Sequence, residues 1–330
     1  MRILHISHGG LPDARIEKTA LTMKKEGHQL VFLGGGTMKY NDLGAFEETY
    51  FLSVGNDLDV TINPAVKRRW LKRISELKPD VIHAHNVIVA HFLLGSEYPV
   101  IYDDHEYWSK QTYMYRERKL PRGLASYPLM IRIPGWETKL LRKYPVITVS
   151  ENTAREHRRK ASWVGVTHNV PMLRQVEGLV EVGPRRGNVY VGRDFDLPKF
   201  PPHRNMAGLR NYLQFDVISG LTHRKMLEKL MEYKVGLTPW KPHPLHPYSD
   251  ANRNYEYLHS GLQVIVNEII KHNFQSDPFV SAFSSYDDIS KVIDELEDIE
   301  AEKIMKHARK NYLWENQEDT IKEAYKRALE

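Results

Sequence analysis

Glu256 sits just inside a helical stretch that follows the loop Pro242–Asn252. A carboxylate so placed can accept two hydrogen bonds from a pair of ribose hydroxyls; the plainer alternative is a solvated helix glutamate. Asn252, Arg253 and the backbone after Ser249 lie at the start of the same helix. A helix N-terminus offers unpaired N–H groups and partial positive charge, which suit a diphosphate. Asn252 is also a candidate N-cap, and the two roles can coexist. Gly9 and Gly10 follow the first apolar run, RILHIS, after His8. Without a Cβ, the backbone there can approach a ligand and turn its N–H groups toward a phosphate or a reacting sugar. The run Gly34–Gly36 lacks the G-x-G-x-x-G frame at a helix start and reads as a turn. His105, in Asp103-Asp104-His105-Glu106 at the end of a strand, is either a proton carrier near neutral pH or a satisfied loop histidine.

Other chemistries are excluded by what is absent. The 330 residues contain no cysteine, which removes disulfides, thiolate zinc sites, iron–sulfur clusters and cysteine nucleophiles. None of the 16 histidines forms an i,i+4 pair with a carboxylate in a metalloenzyme frame, and Asp103-Asp104 lacks Asp-x-Asp spacing. No metal and no cofactor are therefore expected. No two carboxylates stand at a recognisable site for a glycosidase-like double displacement.

Two runs of alternating elements must position these residues. In the first half the strands Arg2–Ser7, Leu30–Leu33, Val81–Ala84, Val100–Tyr102 and Val146–Val149 alternate with helices Glu17–Glu26, Pro64–Leu77 and Val87–Leu94. Pro64 suits a first helical turn. In the second half Asn188–Val191, Phe215–Ile218, Lys234–Leu237 and Gln263–Val266 read as strands. The helices there are Arg224–Met231, Arg253–His259, Tyr286–Leu296, Ala301–Lys310 and Glu318–Leu329. Gly178–Gly187 reads as a loop near the domain join. The pattern predicts an α/β protein with parallel sheets covered on both faces, and ligands at the carboxyl ends of strands.

The residues then become specific as an ordered set. RILHISHGGLPDARIEKTALTMKKEGHQLVFLG, LKPDVIHAH, PVIYDDHE, VITVSE, HNVP, VGLTP and NRNYEYLHSG follow one another along nearly the whole chain. This set resembles the family 4 (group 1) glycosyltransferases of the GT-B fold, the last stretch being similar to the donor-site signature N-K-x-F-E-Y-x-x-x-G. The resemblance implies two Rossmann-like domains facing each other across a cleft. They would cover 1–165 for the acceptor and 166–315 for the nucleotide-sugar donor, with helix 316–330 packing back on the first. It implies sugar transfer from a nucleotide-diphosphate donor to an acceptor hydroxyl, with retention, by front-face departure of the phosphate and without metal; the nucleotide sugar is a co-substrate. Catalytic roles fall on His105, Arg193 and Glu256. Donor binding falls on Gly9, Gly10, Arg193, Lys199, Lys241, Ser249, Asn252, Arg253, Tyr255 and Glu256. Arg193, Lys199 and Lys241 are the candidates for neutralising the leaving diphosphate. The chain departs from the family in having Tyr248 where many relatives carry the first glutamate of E-x7-E, Arg253 for Lys, and a short stretch between Gly192 and Gly220. The second domain is thus expected to be somewhat shortened. A non-catalytic GT-B protein binding a glycan or protein, and a GT-B nucleotide-sugar epimerase, are the alternatives.

Charge suggests where an acceptor would lie. Residues 1–165 hold 25 Lys/Arg against 18 Asp/Glu, and residues 110–160 hold 13 against 4. Such an excess suits an anionic partner. Pro64–Leu77 places Val66, Trp70, Ile74 and Leu77 on one face among Lys67, Arg68, Arg69, Lys72 and Arg73, either as an interfacial helix on anionic lipid or as a packed helix with a basic outer face. Tyr113–Tyr144 mixes aromatic, apolar and basic residues and reads as a surface insertion on the acceptor or bilayer side. A glycan or lipid-linked acceptor and an anionic membrane surface are the expected partners. Nucleic acid is not, since no recognised nucleic-acid module is present. With neither a signal peptide nor an apolar run of membrane-spanning length, the expected location is cytoplasmic, or peripheral on the cytosolic membrane face.

Overall fold

The strand–helix alternation resolves into two parallel sheets in a computed structural model. It describes residues 1–37, 43–55, 59–60, 63–111, 122–180, 183–192, 204–274 and 276–330, of which 122–126 are described by their backbone alone. The chain divides into two compact units, Met1–His168 with Gln317–Glu330, and Asn169–Asn316.

The first unit holds seven parallel strands: β1 (Arg2–Ser7), β2 (Gln29–Gly34), β3 (Glu48–Phe51), β4 (Val81–His85), β5 (Val100–Asp104), β6 (Val146–Thr148) and β7 (Val164–Val166). They lie in the order β3-β2-β1-β4-β5-β6-β7. Its helices include α1 (Ala14–Lys25), α2 (Pro64–Leu77), α3 (Val87–Ala90), α4 (Arg122–Lys143) and α5 (Glu151–His157). Asp13 caps α1 by accepting from the Arg15 and Ile16 N–H groups, and Asn63 caps α2 at Ala65. Strand side chains alternate between faces, and one face of β1, β4 and β5 sends Leu4, Ile6, Ile82, Ala84 and Tyr102 into the apolar core.

Trp70, Ile74, Val66 and Leu77 of α2 belong to that same core. The apolar face proposed for a bilayer is therefore buried in the unit, and α2 is the packed helix with a basic outer face. Arg68, Arg69 and Lys72 are exposed. The presumed surface insertion is largely helix α4, which runs through Pro128 and Pro134 and buries Leu129, Ile133, Leu140 and Leu141. Residues 113–121 of that insertion lie outside the described residues. Among the described residues no helix is long and apolar enough to cross a membrane.

The second unit holds five parallel strands: β8 (Arg186–Val191), β9 (Asp216–Ile218), β10 (Tyr233–Thr238), β11 (Gln263–Asn267) and β12 (Val280–Phe283), in the order β12-β11-β10-β8-β9. Arg186 and Gly187, read above as loop, begin β8. Its helices are α6 (Leu173–Val176), α7 (His223–Leu230), α8 (Asn252–His259), α9 (Glu268–Lys271), α10 (Tyr286–Asp294) and α11 (Ala301–Asn311). The last helix, α12 (Glu318–Leu329), belongs to the first unit. Gln317, just before it, brackets His168 by accepting from its N–H at 2.8 Å and donating to its carbonyl at 2.7 Å.

Candidate functional site

In the second unit the candidate site gathers on α8. Its N-cap is Ala251, which supplies no side-chain hydrogen bond. Asn252 is the first helical residue and is exposed, so it is not the cap. The N-cap thus offers no side-chain acceptor to the positive end of α8. One turn on, Glu256 Oε1 accepts from His223 Nε2 at 3.0 Å, with the two side chains only 13% and 29% exposed. His223 opens α7, and the sequence reading missed it because 33 residues separate the pair.

Arg253 is held by rings. Its guanidinium carbon lies 4.8 Å from the Tyr190 ring centroid and 5.0 Å from that of Trp240. These cation–π contacts fix a cation, while its buried Nη1 has no hydrogen-bond partner among the described residues. A buried donor left in that state is costly unless something else completes it. The carbonyl end of β8 is fixed from α8 as well. The Tyr257 hydroxyl accepts from the Val191 N–H at 2.8 Å and donates to the Leu237 carbonyl at 3.0 Å. Gly236 makes room for that ring: a Cβ there would lie 2.2 Å from Tyr257 Cγ. Gly192 follows with φ +143°, where a side chain is strained. Arg193 and Lys199, next along the chain, lie outside the described residues.

The other donor candidates are placed differently. Tyr255 is 1% exposed, donates its hydroxyl to Asp250 Oδ1 at 2.6 Å and packs on Phe274 and Tyr312. It is a core residue and not a ligand contact. Burial, then the Asp250 charge, push its phenol well above the usual range. The Asp250 carboxylate in turn accepts from the Asn169 N–H at 2.6 Å, anchoring the segment that opens the unit. The Ser249 hydroxyl donates to the Leu245 carbonyl at 3.1 Å, and its own carbonyl accepts from Asn273 Nδ2. Lys241 is exposed, with Nζ 5.6 Å from the Tyr286 ring centroid.

In the first unit the two glycine runs pack on each other. A Cβ on Gly10 would lie 2.0 Å from the Thr37 carbonyl oxygen, and one on Gly36 would lie 2.6 Å from the Gly10 nitrogen. The Gly9 N–H donates to Ser7 Oγ at 3.1 Å. The missing side chains thus serve backbone-to-backbone approach of two loops, and the Gly9 donor is already engaged.

His105 is not a free loop histidine either. Strand register sets His5 beside His83 and His85 beside Asp103, all on the sheet face opposite Leu4, Ile6 and Ile82. His105, two residues past Asp103, joins them. His105 Nε2 lies 3.0 Å from His85 Nδ1 and 3.2 Å from Asp103 Oδ2. His83 Nε2 lies 3.2 Å from the same oxygen, His85 Nδ1 3.5 Å from it, and His85 Nε2 2.9 Å from His5 Nδ1. The Tyr325 hydroxyl of α12 contacts His83 Nδ1 at 2.9 Å and His5 Nε2 at 3.4 Å. Arg15 donates to Asp103 Oδ1 at 2.8 Å.

Burial lowers His5, His83 and His85, which sit neutral. Burial alone would raise Asp103, but Arg15 and then His105 outweigh it and hold the carboxylate well below its usual range. The sequence signal for this cluster is His83-Ala-His85 beside Asp103-Asp104-His105, an i,i+2 spacing on neighbouring strands. A search for helical i,i+4 pairs does not see it.

These two parallel sheets, each with helices in α/β alternation, are the GT-B glycosyltransferase fold. Sucrose-phosphate synthase from Thermosynechococcus elongatus matches with a TM-score of 0.68 at 11% identity, over 98% of this chain and 98% of that one. A glycosyltransferase from Rickettsia africae matches at 0.63 and 12% identity over 100% and 98%. The catalytic domain of starch synthase IV from Arabidopsis thaliana, bound to ADP and acarbose, matches at 0.61 and 12% identity over 99% of each chain. Within that class the chain resembles Glycosyltransferase Family 4, whose family model matches residues 15–170. Comparison with curated protein sequences gives no match.

Proposed function

We propose that the protein transfers a sugar from a nucleoside-diphosphate donor, held by the second unit, to an acceptor hydroxyl. The observation that supports this best is the start of α8: an uncapped helix N-terminus with Arg253 pinned between Tyr190 and Trp240 and one buried guanidinium N–H left over. Helix N–H groups and a fixed cation together form a receptor for a diphosphate. Glu256, one turn along, supplies acceptor oxygens for the ribose hydroxyls, and His223 orients its carboxylate. The solved GT-B structures bound to ADP and to UDP-2-fluoro glucose make a nucleotide sugar the natural donor class.

Transfer with retention follows from the resemblance. The diphosphate departs from the face on which the acceptor arrives, and it accepts the proton of the attacking hydroxyl. In this reading Arg253, the α8 N-terminus, Arg193 and Lys241 stabilise the charge that builds on the leaving group, and no metal takes part in that departure. The acceptor class expected is a glycan or a lipid-linked glycan. The exposed Tyr127 and Ile131 on α4, 55% and 59% accessible, and the basic outer face of α2 suit a lipid surface.

The test is release of nucleoside diphosphate from a panel of nucleotide sugars, with the anomeric configuration of any product read by NMR. The proposal expects release with one base and one sugar class, an axial product from an axial donor, and at least a hundredfold loss of rate in Arg253→Ala. An inverted product would remove the front-face mechanism. Release unaffected by Arg253→Ala would remove the site.

A further inference from the structure

We propose that the first unit binds a divalent transition-metal cation of the zinc type through His83 Nε2, His85 Nδ1, His105 Nε2 and Asp103 Oδ2. The carboxylate oxygen lies 3.2, 3.5 and 3.2 Å from the three nitrogens, and His85 Nδ1 lies 3.0 Å from His105 Nε2. The ligand atoms of His83, His85 and Asp103 all fall within 4.8 Å of one another. Tetrahedral zinc with bonds of about 2.0–2.1 Å sets its ligand atoms about 3.3 Å apart. Four of the six edges of such a shell are thus present at 3.0–3.5 Å: three from Asp103 Oδ2 to the nitrogens, and one from His85 Nδ1 to His105 Nε2. Three imidazoles and a carboxylate, with no thiolate, are a donor set for zinc, cobalt or nickel and not for calcium or magnesium.

The remaining atoms of the ligands are held as metal-ligand partners usually are. His83 Nδ1 faces the Tyr325 hydroxyl, His85 Nε2 faces His5 Nδ1, and Asp103 Oδ1 takes Arg15. With His83 Nδ1 donating to the Tyr325 oxygen and His85 Nε2 donating to His5 Nδ1, His83 Nε2 and His85 Nδ1 are left bare toward the common centre.

Arg15 works against a dication, because one carboxylate cannot balance both charges in a buried site. The metal is therefore expected to come off under chelator and to return. Its role is positional. It ties the carboxyl ends of β4 and β5 together and holds His105 by Nε2, which leaves Nδ1 as the ring nitrogen open to a substrate. The inference goes beyond the glycosyltransfer reading and is measured without a nucleotide.

The experiment uses the full chain, stripped with EDTA, reloaded with Zn²⁺ or Co²⁺ and desalted. The expected result is close to one zinc per chain by mass spectrometry and an intense visible d–d band of tetrahedral cobalt. His105→Ala removes the ligand nearest solvent, 10% exposed; it is expected to weaken zinc at least tenfold and to abolish the band, and Tyr325→Phe to weaken zinc about tenfold. A wild-type chain that holds less than a tenth of an equivalent, with no cobalt band, overturns the proposal. So does zinc affinity unchanged in His105→Ala. Because His105 is the least buried ligand, the test survives even if His83→Gln or His85→Gln does not fold.

Discussion

Among the described residues no cation is paired with Glu137, so its carboxyl must give up either its charge or its burial, and it keeps its burial. It is 2% exposed, accepts from the Ser109 N–H at 3.1 Å, and bonds the Ser109 hydroxyl. Burial, then the charge of Asp104, push it up to about 7. The folded chain therefore holds a proton there that the unfolded chain releases near 4.5, and the cost of folding grows from that pH up to about 7. A shift of this size corresponds to roughly 3 kcal/mol. Glu137→Gln is expected to raise the melting temperature at pH 8 and to leave it unchanged at pH 4. A gain of equal size at both pH values in thermal melts would rule out the proton as its source.

Also at residue scale, the place of Glu256 near the start of a helix was legible because its neighbours in sequence are its neighbours on that helix. His223 was not, because its carboxylate partner is 33 residues away. The histidine cluster was not, because it is assembled from β1, β4 and β5 across 100 residues. Tyr255 was misplaced for the opposite reason: a motif position adjacent to Glu256 points to the other side of α8, into Phe274 and Tyr312.

Among elements, α2 was readable to the residue from a proline at its first turn and apolar residues at helical spacing. Periodicity fixes which face is apolar, but not what covers it. The cover is the unit's own core, so Trp70→Ala is expected to cost about 3–5 kcal/mol in chemical denaturation. A loss under 1 kcal/mol would mean that the face is not packed. Arg68→Glu with Lys72→Glu alters only the exposed side. That pair is expected to leave the denaturation midpoint unchanged and to abolish sedimentation with anionic liposomes at low salt. If the wild type does not sediment, the basic face has another purpose. The strands missed in sequence are β3, β7 and β12, all at sheet edges and three or four residues long. An edge strand pairs on one side only, and so short a run carries little alternation to read.

For the whole molecule, strand–helix alternation was enough to give two parallel sheets, whereas the return of the last helix came from resemblance and not from periodicity. Ile321, Ala324 and Tyr325 of α12 are buried in the first unit, and Tyr325 meets His83. Ending the chain after Asn316 is expected to destabilise the first unit by several kcal/mol, since burying Ile321 and Tyr325 contributes about 1.5–3 kcal/mol each. An unchanged melting profile would show that α12 does not stabilise that unit.

The central claim is that the start of α8 receives a nucleoside diphosphate. The most direct measurement is the melting temperature of wild type and of Glu256→Ala with each nucleoside diphosphate in turn. A ligand at 100 times its dissociation constant stabilises by about 2.7 kcal/mol, a shift of several degrees. The account predicts such a shift for one base in the wild type and its loss in Glu256→Ala. No shift with any base, or the same shift in both proteins, would contradict it.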